Sequence, residues 1–229
     1  MNKLAYLAGK YQLRYNHVPL EEHTLKILSV ADIEALLEEV DHEDDLPFWA
    51  SLWPAARGLA LFLWQDQHIA GIETLELGAG TGLPGIVAAL KGAGVVQTDF
   101  IPDALLFCQE NAAINGAKTI RQVLADWRDF RIPGLYPLIL GSDILYEPLL
   151  HSNLVEIIDQ KLAPGGRVLI ADPGRKTVMQ FLELAEARNF TWNVQEIVVP
   201  WVPDLYPSGH EGKSPATIDI LELLRQSRA

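Results

Sequence analysis

The spacing of hydrophobic and polar positions changes several times along this chain and divides it into two regions. From residue 72 onward, short apolar runs alternate with stretches of helical periodicity. Residues 72–77 predict a strand, followed by a glycine turn and a helix over residues 83–91. Residues 94–98 predict a second strand, and residues 102–115 a helix with proline in its first turn. Residues 121–124 predict a short third strand and residues 137–142 a fourth, whose run Leu138-Ile139-Leu140 suits burial on both faces. A helix over residues 148–161 follows. Pro164-Gly165-Gly166 then turns into a fifth strand over residues 167–171. Residues 176–189 predict a helix, and residues 192–199 and 217–224 two last strands. The segment between those strands holds Pro200, Pro203, Pro207, Gly209, Gly212 and Pro215, which predicts a long loop.

The front of the chain reads differently. Residues 25–30 predict a strand, and residues 32–40 a short helix with Ile33, Leu36, Leu37 and Val40 on its apolar face. An acidic stretch over residues 38–45 follows and is punctuated by Pro47. This gives an accessory strand and helix layer over residues 1–46, ahead of a main domain over residues 47–229. Strand–helix alternation implies an α/β fold with a doubly wound parallel sheet and right-handed crossovers. Ligands in such sheets sit beyond the carboxyl ends of the strands. That rule points at the turn Glu76-Leu77-Gly78-Ala79-Gly80-Thr81-Gly82, at Asp99, at Asp126-Trp127 and at Ser142-Asp143, each of which ends or follows a strand.

Composition narrows the chemistry. A chain of 229 residues suits one full α/β domain with a buried core. A hydrophobic share of 49% and a charged share of 21% fit a globular protein. The formal net charge of −12 disfavours nucleic acid as the main substrate and favours cationic partners such as lysine-rich protein segments. The single cysteine, Cys108, excludes an intrachain disulfide and fits a reducing compartment. It reads as a small buried hydrophobe on a helix. No apolar run is long enough to span a bilayer. Residues 1–20 carry Lys3, Lys10 and Arg14 and no acid, faintly like a transit peptide, but one arginine and no serine read as an ordinary helix and loop. A cytoplasmic protein is therefore expected. The six histidines are scattered without metal-ligand spacing, so no metal is expected.

The turn reads Gly-x-Gly-x-Gly, with Leu83 where a dinucleotide fingerprint places its third glycine. Glycines there let backbone approach a ligand and tolerate positive φ. S-adenosylmethionine has no pyrophosphate. Its cationic sulfur and amino-acid tail need close backbone contacts and acids, and Glu76 lies just before the turn. A tight turn without a ligand would read the same, so the motif is weak alone. Asp99 strengthens it. It ends the second strand about 20 residues after the first glycine, the spacing at which an acid reaches ribose hydroxyls. Asp99 would otherwise cap the helix beginning at Pro102. Asp126 is placed to accept from an adenine amino group and Trp127 to stack on the ring, although a packed surface tryptophan reads equally well.

In a doubly wound sheet the fourth strand lies beside the first, so Asp143 and Tyr146 would face the methyl of an S-adenosylmethionine held on the glycine turn. A carboxylate attracts a lysine, holds it and helps remove its proton, and a tyrosine ring favours a cationic amine. The competing reading makes Asp143 a helix cap before Pro148 and Tyr146 a core residue. The strand does not end in Asp/Asn-Pro-Pro-aromatic, the pattern of methylation at exocyclic base nitrogens or side-chain amides. Phe48, Trp49 and Trp53, with Leu59, Phe62 and Leu63, read as core of an added helix, Phe48 in particular.

Together, Leu75-Glu76-Leu77-Gly78-Ala79-Gly80-Thr81-Gly82-Leu83, Asp143-Ile144-Leu145-Tyr146 and Phe48-Trp49-Ala50-Ser51-Leu52-Trp53-Pro54 resemble the seven-strand protein-lysine methyltransferases marked by Asp-x-x-Tyr. The resemblance covers residues 46–174. Asp172-Pro173-Gly174-Arg175 is further similar to the branch acting on the electron-transfer flavoprotein β subunit. The resemblance implies a Rossmann-like, seven-stranded, mostly parallel sheet with an antiparallel last strand, and S-adenosylmethionine as cofactor. It implies that Trp53 lines the cofactor's amino-acid end, and that Gly78, Ala79 and Gly80 bring backbone to it. Asp99 would bind the ribose, Trp127 would flank the adenine and Ser142 would offer backbone near the sulfur. Asp143 and Tyr146 would form the acceptor site. The expected partner is a protein presenting a lysine, with the acidic stretch at residues 38–45 drawing a basic segment toward the pocket. The alternatives are a small-molecule N-methyltransferase acting on an amine or heteroaromatic nitrogen, and a non-catalytic binding protein that retains the fold. A nicotinamide dehydrogenase is disfavoured by the glycine spacing.

Overall fold

The computed structural model describes residues 2–31, 47–200 and 214–226. The helix expected over residues 32–40, the acidic stretch at 38–45 and residues 201–213 of the long loop lie outside the described residues. The chain opens with α1 (Lys3–Lys10), then a hairpin of β1 (Leu13–Leu20) and β2 (His23–Val30) paired antiparallel. A single 3-10 turn (Pro47–Ala50) leads into α2 (Pro54–Gln65). Next come β3 (Glu73–Leu77), α3 (Leu83–Leu90), β4 (Gly94–Asp99), α4 (Pro102–Ile114), β5 (Ile120–Leu124) and β6 (Tyr136–Ser142). The chain continues through α5 (His151–Lys161), β7 (Leu162–Asp172), α6 (Val178–Glu186), β8 (Phe190–Val199) and β9 (Ala216–Arg225).

Seven strands form one sheet in the order β5-β4-β3-β6-β7-β9-β8. The ladders from β5 to β7 are parallel, and β9 runs antiparallel to both β7 and β8. The expected doubly wound sheet with an antiparallel last strand is what the chain forms. The strand order reverses at β3, where the chain leaves toward β4 and later returns to β6 on the other side. The carboxyl ends of β3 and β6 therefore meet, with Leu77 opposite Gly141.

Alternate residues of the central strands enter opposite cores. Leu138, Leu140 and Leu169 pack with Leu59, Leu63 and Ile86 on one face. Leu75, Ile139 and Val168 pack with Leu154, Ile158 and Phe181 on the other. Each such side chain contributes roughly 1.5–3 kcal/mol on leaving water, so this two-faced core holds the strand ends in fixed positions.

Four boundaries differ from the sequence expectation. Residues 13–20 form a strand, not a loop. Its inward positions are Asn16, Val18 and Leu20, and the polar Asn16 conceals the alternation. Asn16 is fully buried because its Nδ2 donates to Ile27 O at 3.1 Å and to Ser29 Oγ at 2.8 Å. β7 begins at Leu162, passing through the expected turn with a register shift opposite Tyr136 and Leu138. α5 begins at His151 after a 3-10 turn, which Glu147 caps by accepting Leu149 N–H at 3.0 Å. α6 begins at Val178.

The hairpin is joined to α4 by side chains. Asn111 and Asn115, one helical turn apart, each bond both backbone groups of an alternate β2 residue. Asn111 Oδ1 accepts Leu28 N–H at 2.6 Å and Asn111 Nδ2 donates to Leu28 O at 3.0 Å. Asn115 makes the same pair with Lys26, at 3.0 and 2.9 Å. Two asparagines thus complete an edge that a third strand would otherwise pair. Lys10 and Tyr11 add bonds of 2.6 and 2.5 Å to Asp103 at the other end of α4, which hold its carboxyl below the usual range against burial. Val18, Leu20, Leu25 and Ile27 enter the same core as Leu59 and Leu63.

Candidate functional site

β3 ends in the turn Gly78-Ala79-Gly80-Thr81-Gly82, in which all three glycines have positive φ, between +53° and +82°. Space and backbone both exclude a side chain at Gly78. A Cβ there would lie 2.9 Å from Ile144 Cγ2 and 3.0 Å from Trp127 Cζ2. Gly78 thus meets the loop after β5 and the loop after β6 at one point. Behind the turn, Cys108 is buried, as expected, and its Sγ lies 3.3 Å from Gly80 O. Burial pushes its thiol pKa well up, so it is a packing residue.

Glu76 lies beneath this turn, 1% exposed. Its carboxylate accepts from Gly85 N–H at 3.1 Å and from Gln97 Nε2 at 2.8 Å. Gln97 Nε2 also donates to Gly82 O at 2.9 Å, and Gln97 Oε1 accepts from Gln122 at 3.0 Å. The observed partners of Glu76 are therefore protein groups that brace the start of α3. Burial pushes its pKa up to about 7 against these donors. Gln97 was not singled out in the sequence, although a glutamine inside the run Gly94-Val95-Val96-Gln97-Thr98-Asp99 is the signal for it.

Asp99 closes β4 and belongs to the turn, not to α4. Its Oδ2 accepts Gly80 N–H at 2.9 Å and its Oδ1 accepts Ile101 N–H at 3.0 Å. The N-cap of α4 is Ile101, with no side-chain cap. Burial raises the Asp99 pKa despite these bonds. Ala79 N–H donates to Thr98 O at 2.9 Å, so with Gly80 and Gly82 three residues of the turn are fixed by β4. A groove of about 560 Å³ runs from Phe100 past Val123 and Ala125 to Asp126 and Ile132. Asp126 pairs in this structure with Arg128, at 2.8 Å to its N–H and 2.9–3.1 Å to its guanidinium, which lowers its pKa.

The chain turns sharply after Ser142. Asp143 has φ +61° and donates its N–H to Ala171 O at 2.8 Å. Aspartate is among the few side chains that tolerate this left-handed conformation. Asp143 caps neither the 3-10 turn at Pro148, which Glu147 caps, nor α5, whose N-cap is Leu150, and Tyr146 is 42% exposed, not core. The loop is fixed at Leu145, whose carbonyl accepts from Thr177 Oγ1 at 3.0 Å and lies 3.2 Å from His151 Nε2.

Tyr146 meets Phe48 edge to face, with centroids 5.7 Å apart, and Phe48 meets Trp53 at 6.2 Å. Trp53 Nε1 donates to Phe48 O at 2.6 Å. Trp53, Phe48 and Tyr146 therefore form one aromatic rim. Phe48 is 36% exposed, which corrects its reading as core. Trp49 instead packs inward against Tyr11 and Phe107. Behind Asp143, Arg175 forms ion pairs with Asp143 and with the wholly buried Asp172, the latter at 2.8 Å. Burial raises the Asp143 pKa, and Arg175 opposes that rise.

These residues suit S-adenosylmethionine. Gly78 and Gly80 bring backbone without side chains to the end of β3, and the carboxylates of Asp99 and Asp143 stand at the ends of β4 and β6, the strands on either side of it. Such an acidic surround favours a cationic sulfur and amine and disfavours a pyrophosphate. Among the described residues no group of acids, histidines and cysteine is arranged to hold a metal. No helix among them is long and apolar enough to cross a membrane.

A family profile described as lysine methyltransferase matches residues 39–188. The mouse histone-arginine methyltransferase METTL23 is 28% identical over 202 residues, covering 85% of this chain and 72% of that protein. Mouse EEF1A lysine methyltransferase 3 is 36% identical over 131 residues, covering 55% of this chain and 56% of that protein. The rat electron transfer flavoprotein β subunit lysine methyltransferase is 31% identical over 132 residues, covering 56% and 51%. The chain thus spans little more than half of these two lysine methyltransferases. Among solved structures, the ribosomal protein L11 methylase of Lactobacillus delbrueckii subsp. bulgaricus shares the fold, with a TM-score of 0.62 at 19% identity over 93% of this chain and 100% of that one. The profile covers well over half of the residues, and the chain belongs to the lysine methyltransferase family of seven-stranded, S-adenosylmethionine-dependent methyltransferases.

Proposed function

We propose that the protein transfers a methyl group to the ε-amine of a lysine in another protein, as the names of several relatives suggest. The observation that carries this reading is the placement of Asp143. A left-handed turn holds its carboxylate at the end of β6, next to the glycine turn of β3 and behind an aromatic rim.

Bound S-adenosylmethionine supplies an electrophilic methyl on sulfur. Trp53, Gly78, Ala79, Gly80, Asp99, Trp127 and Ser142 would hold it. The chain's own contribution to the reaction is alignment and proton transfer. The exposed aromatic rings of Tyr146 and Phe48 favour an incoming ammonium over a neutral side chain. Asp143 holds that ammonium and receives the proton it must lose before its nitrogen is nucleophilic. Burial raises the pKa of this carboxyl, which makes it a better proton acceptor than a solvated aspartate. The net charge of −12 favours a basic protein partner and disfavours nucleic acid. The single buried cysteine supports a cytoplasmic setting.

A second reading has an arginine as acceptor, because the METTL23 match covers far more of the chain than the lysine methyltransferase matches do. Incubating the protein with labelled S-adenosylmethionine and cell lysate, then identifying the labelled residue by mass spectrometry, separates the readings. Methyl-lysine in a protein band is the expected result. Methyl-arginine favours the second reading, and label confined to small molecules refutes both.

A further inference from the structure

Arg175 holds two acids in unequal ways. Its contact with Asp172 is an aligned hydrogen bond of 2.8 Å between NH1 and Oδ2. Asp172 is anchored independently, because its Oδ1 accepts Gly174 N–H at 2.9 Å and Arg175 N–H at 2.8 Å. The contact with Asp143 is different. NH2 meets Asp143 Oδ1 as a close charge contact without hydrogen-bond alignment, and Oδ1 has no other donor. Arg175 keeps about a third of its side chain in solvent, while Asp172 has none. The guanidinium is thus shared by two acids, of which Asp172 has further donors and Asp143 Oδ1 has none. Asp219, opposite Asp172 in the β7–β9 ladder, adds negative charge beside it, and Glu196 of β8 lies opposite Asp219.

We propose that Arg175 is a built-in stand-in for the acceptor cation, occupying Asp143 between turnovers and yielding it to an incoming cationic side chain. The proposal rests on Asp143 being the acceptor carboxylate and adds what selects the acceptor. When Arg175 releases Asp143 it keeps its bond to Asp172, so the guanidinium stays paired and only Asp143 needs a new partner. A cation entering the site restores the charge contact that Asp143 gives up. A neutral nitrogen heterocycle cannot, and entry would leave Asp143 unpaired in a buried position. The pair therefore excludes neutral acceptors and admits protonated ones.

The test uses n-butylammonium as a lysine side-chain probe and n-butanol as its uncharged counterpart. Binding is followed by NMR on the full chain, saturated with S-adenosylhomocysteine. Arg175→Gln is expected to bind n-butylammonium about tenfold more tightly than the wild type, with n-butanol unchanged. Arg175→Lys, which keeps one cation but cannot hold two acids at once, should tighten about threefold. It serves alone if the glutamine variant does not fold. Adding Asp143→Asn to Arg175→Gln should abolish the gain. Equal n-butylammonium affinity in wild type and variants, or a gain that survives Asp143→Asn, overturns the proposal. Lysate labelling addresses the lysine reading separately, so either idea can fail without the other.

Discussion

Asn111 bonds both backbone groups of Leu28 and also donates to Thr81 O at 2.9 Å, tying the front hairpin to the glycine turn through one side chain. Removing a fully buried amide leaves several buried backbone groups unpaired. Asn111→Ala should lower stability by about 2–3 kcal/mol, measured by denaturant melting, and should weaken S-adenosylmethionine binding through loss of the Thr81 contact. Asn115→Ala removes an equivalent pair of bonds at an exposed position and should cost about 1 kcal/mol or less. Equal losses at the two sites would contradict this account.

The positive φ of Asp143 separates its backbone role from its charge. Asparagine tolerates the same conformation, so Asp143→Asn should melt within about 0.5 kcal/mol of the wild type, while Asp143→Ala loses about 1 kcal/mol more. Both should bind S-adenosylmethionine normally by calorimetry and lose roughly 10²–10⁴-fold in methyl transfer. Retained turnover in Asp143→Asn would remove the proton-accepting role.

Phe48 and Asp99 should affect opposite halves of the reaction. Phe48→Ala removes the edge contact to Tyr146, an interaction worth about 0.5–1.5 kcal/mol. It should raise the KM for the acceptor roughly three- to tenfold without changing cofactor affinity. Asp99→Asn should weaken cofactor binding about tenfold and leave the acceptor KM unchanged at saturating cofactor. Steady-state kinetics with each substrate varied in turn checks both.

Glu76 predicts a pH dependence of stability. Its folded pKa of about 7 lies above the ordinary 4.5, so the folded state holds a proton that the unfolded state releases. The resulting stabilisation is complete below about pH 4.5 and is lost as pH rises through about 7. The Tm of the wild type relative to Glu76→Gln should therefore fall by about 6–11 °C from pH 4.5 to 7.5 and level off above about pH 8. Parallel Tm curves for the two proteins would refute the assignment.

The elements that sequence displayed well are those buried on both faces. The run Leu138-Ile139-Leu140 and the turn from Gly78 to Gly82 announce themselves because a central strand and a positive-φ turn admit few residue types. β1 is hidden because its first inward position is the polar Asn16, whose Nδ2 donates to Ser29 and Ile27 across the hairpin. Phe48 read as core because aromatic spacing in Phe48-Trp49-Trp53 is the same for a packed helix and for a rim. Arg175 carried no visible role because its partner Asp143 lies 32 positions away, and only the β6–β7 ladder brings Ser142 and Ala171 side by side.

The left-handed turn at Asp143 also has a genetic consequence. The residues best suited to that backbone conformation are glycine, asparagine and aspartate, and both aspartate codons lie one base from an asparagine codon and from a glycine codon. A single base change can thus delete the carboxylate of Asp143 while keeping the backbone relaxed and the glycine turn intact. The position most exposed to silent folding and loud loss of activity is then the one proposed to face the acceptor, so in a lineage released from selection this chain would become a cofactor-binding relic before it became unstable.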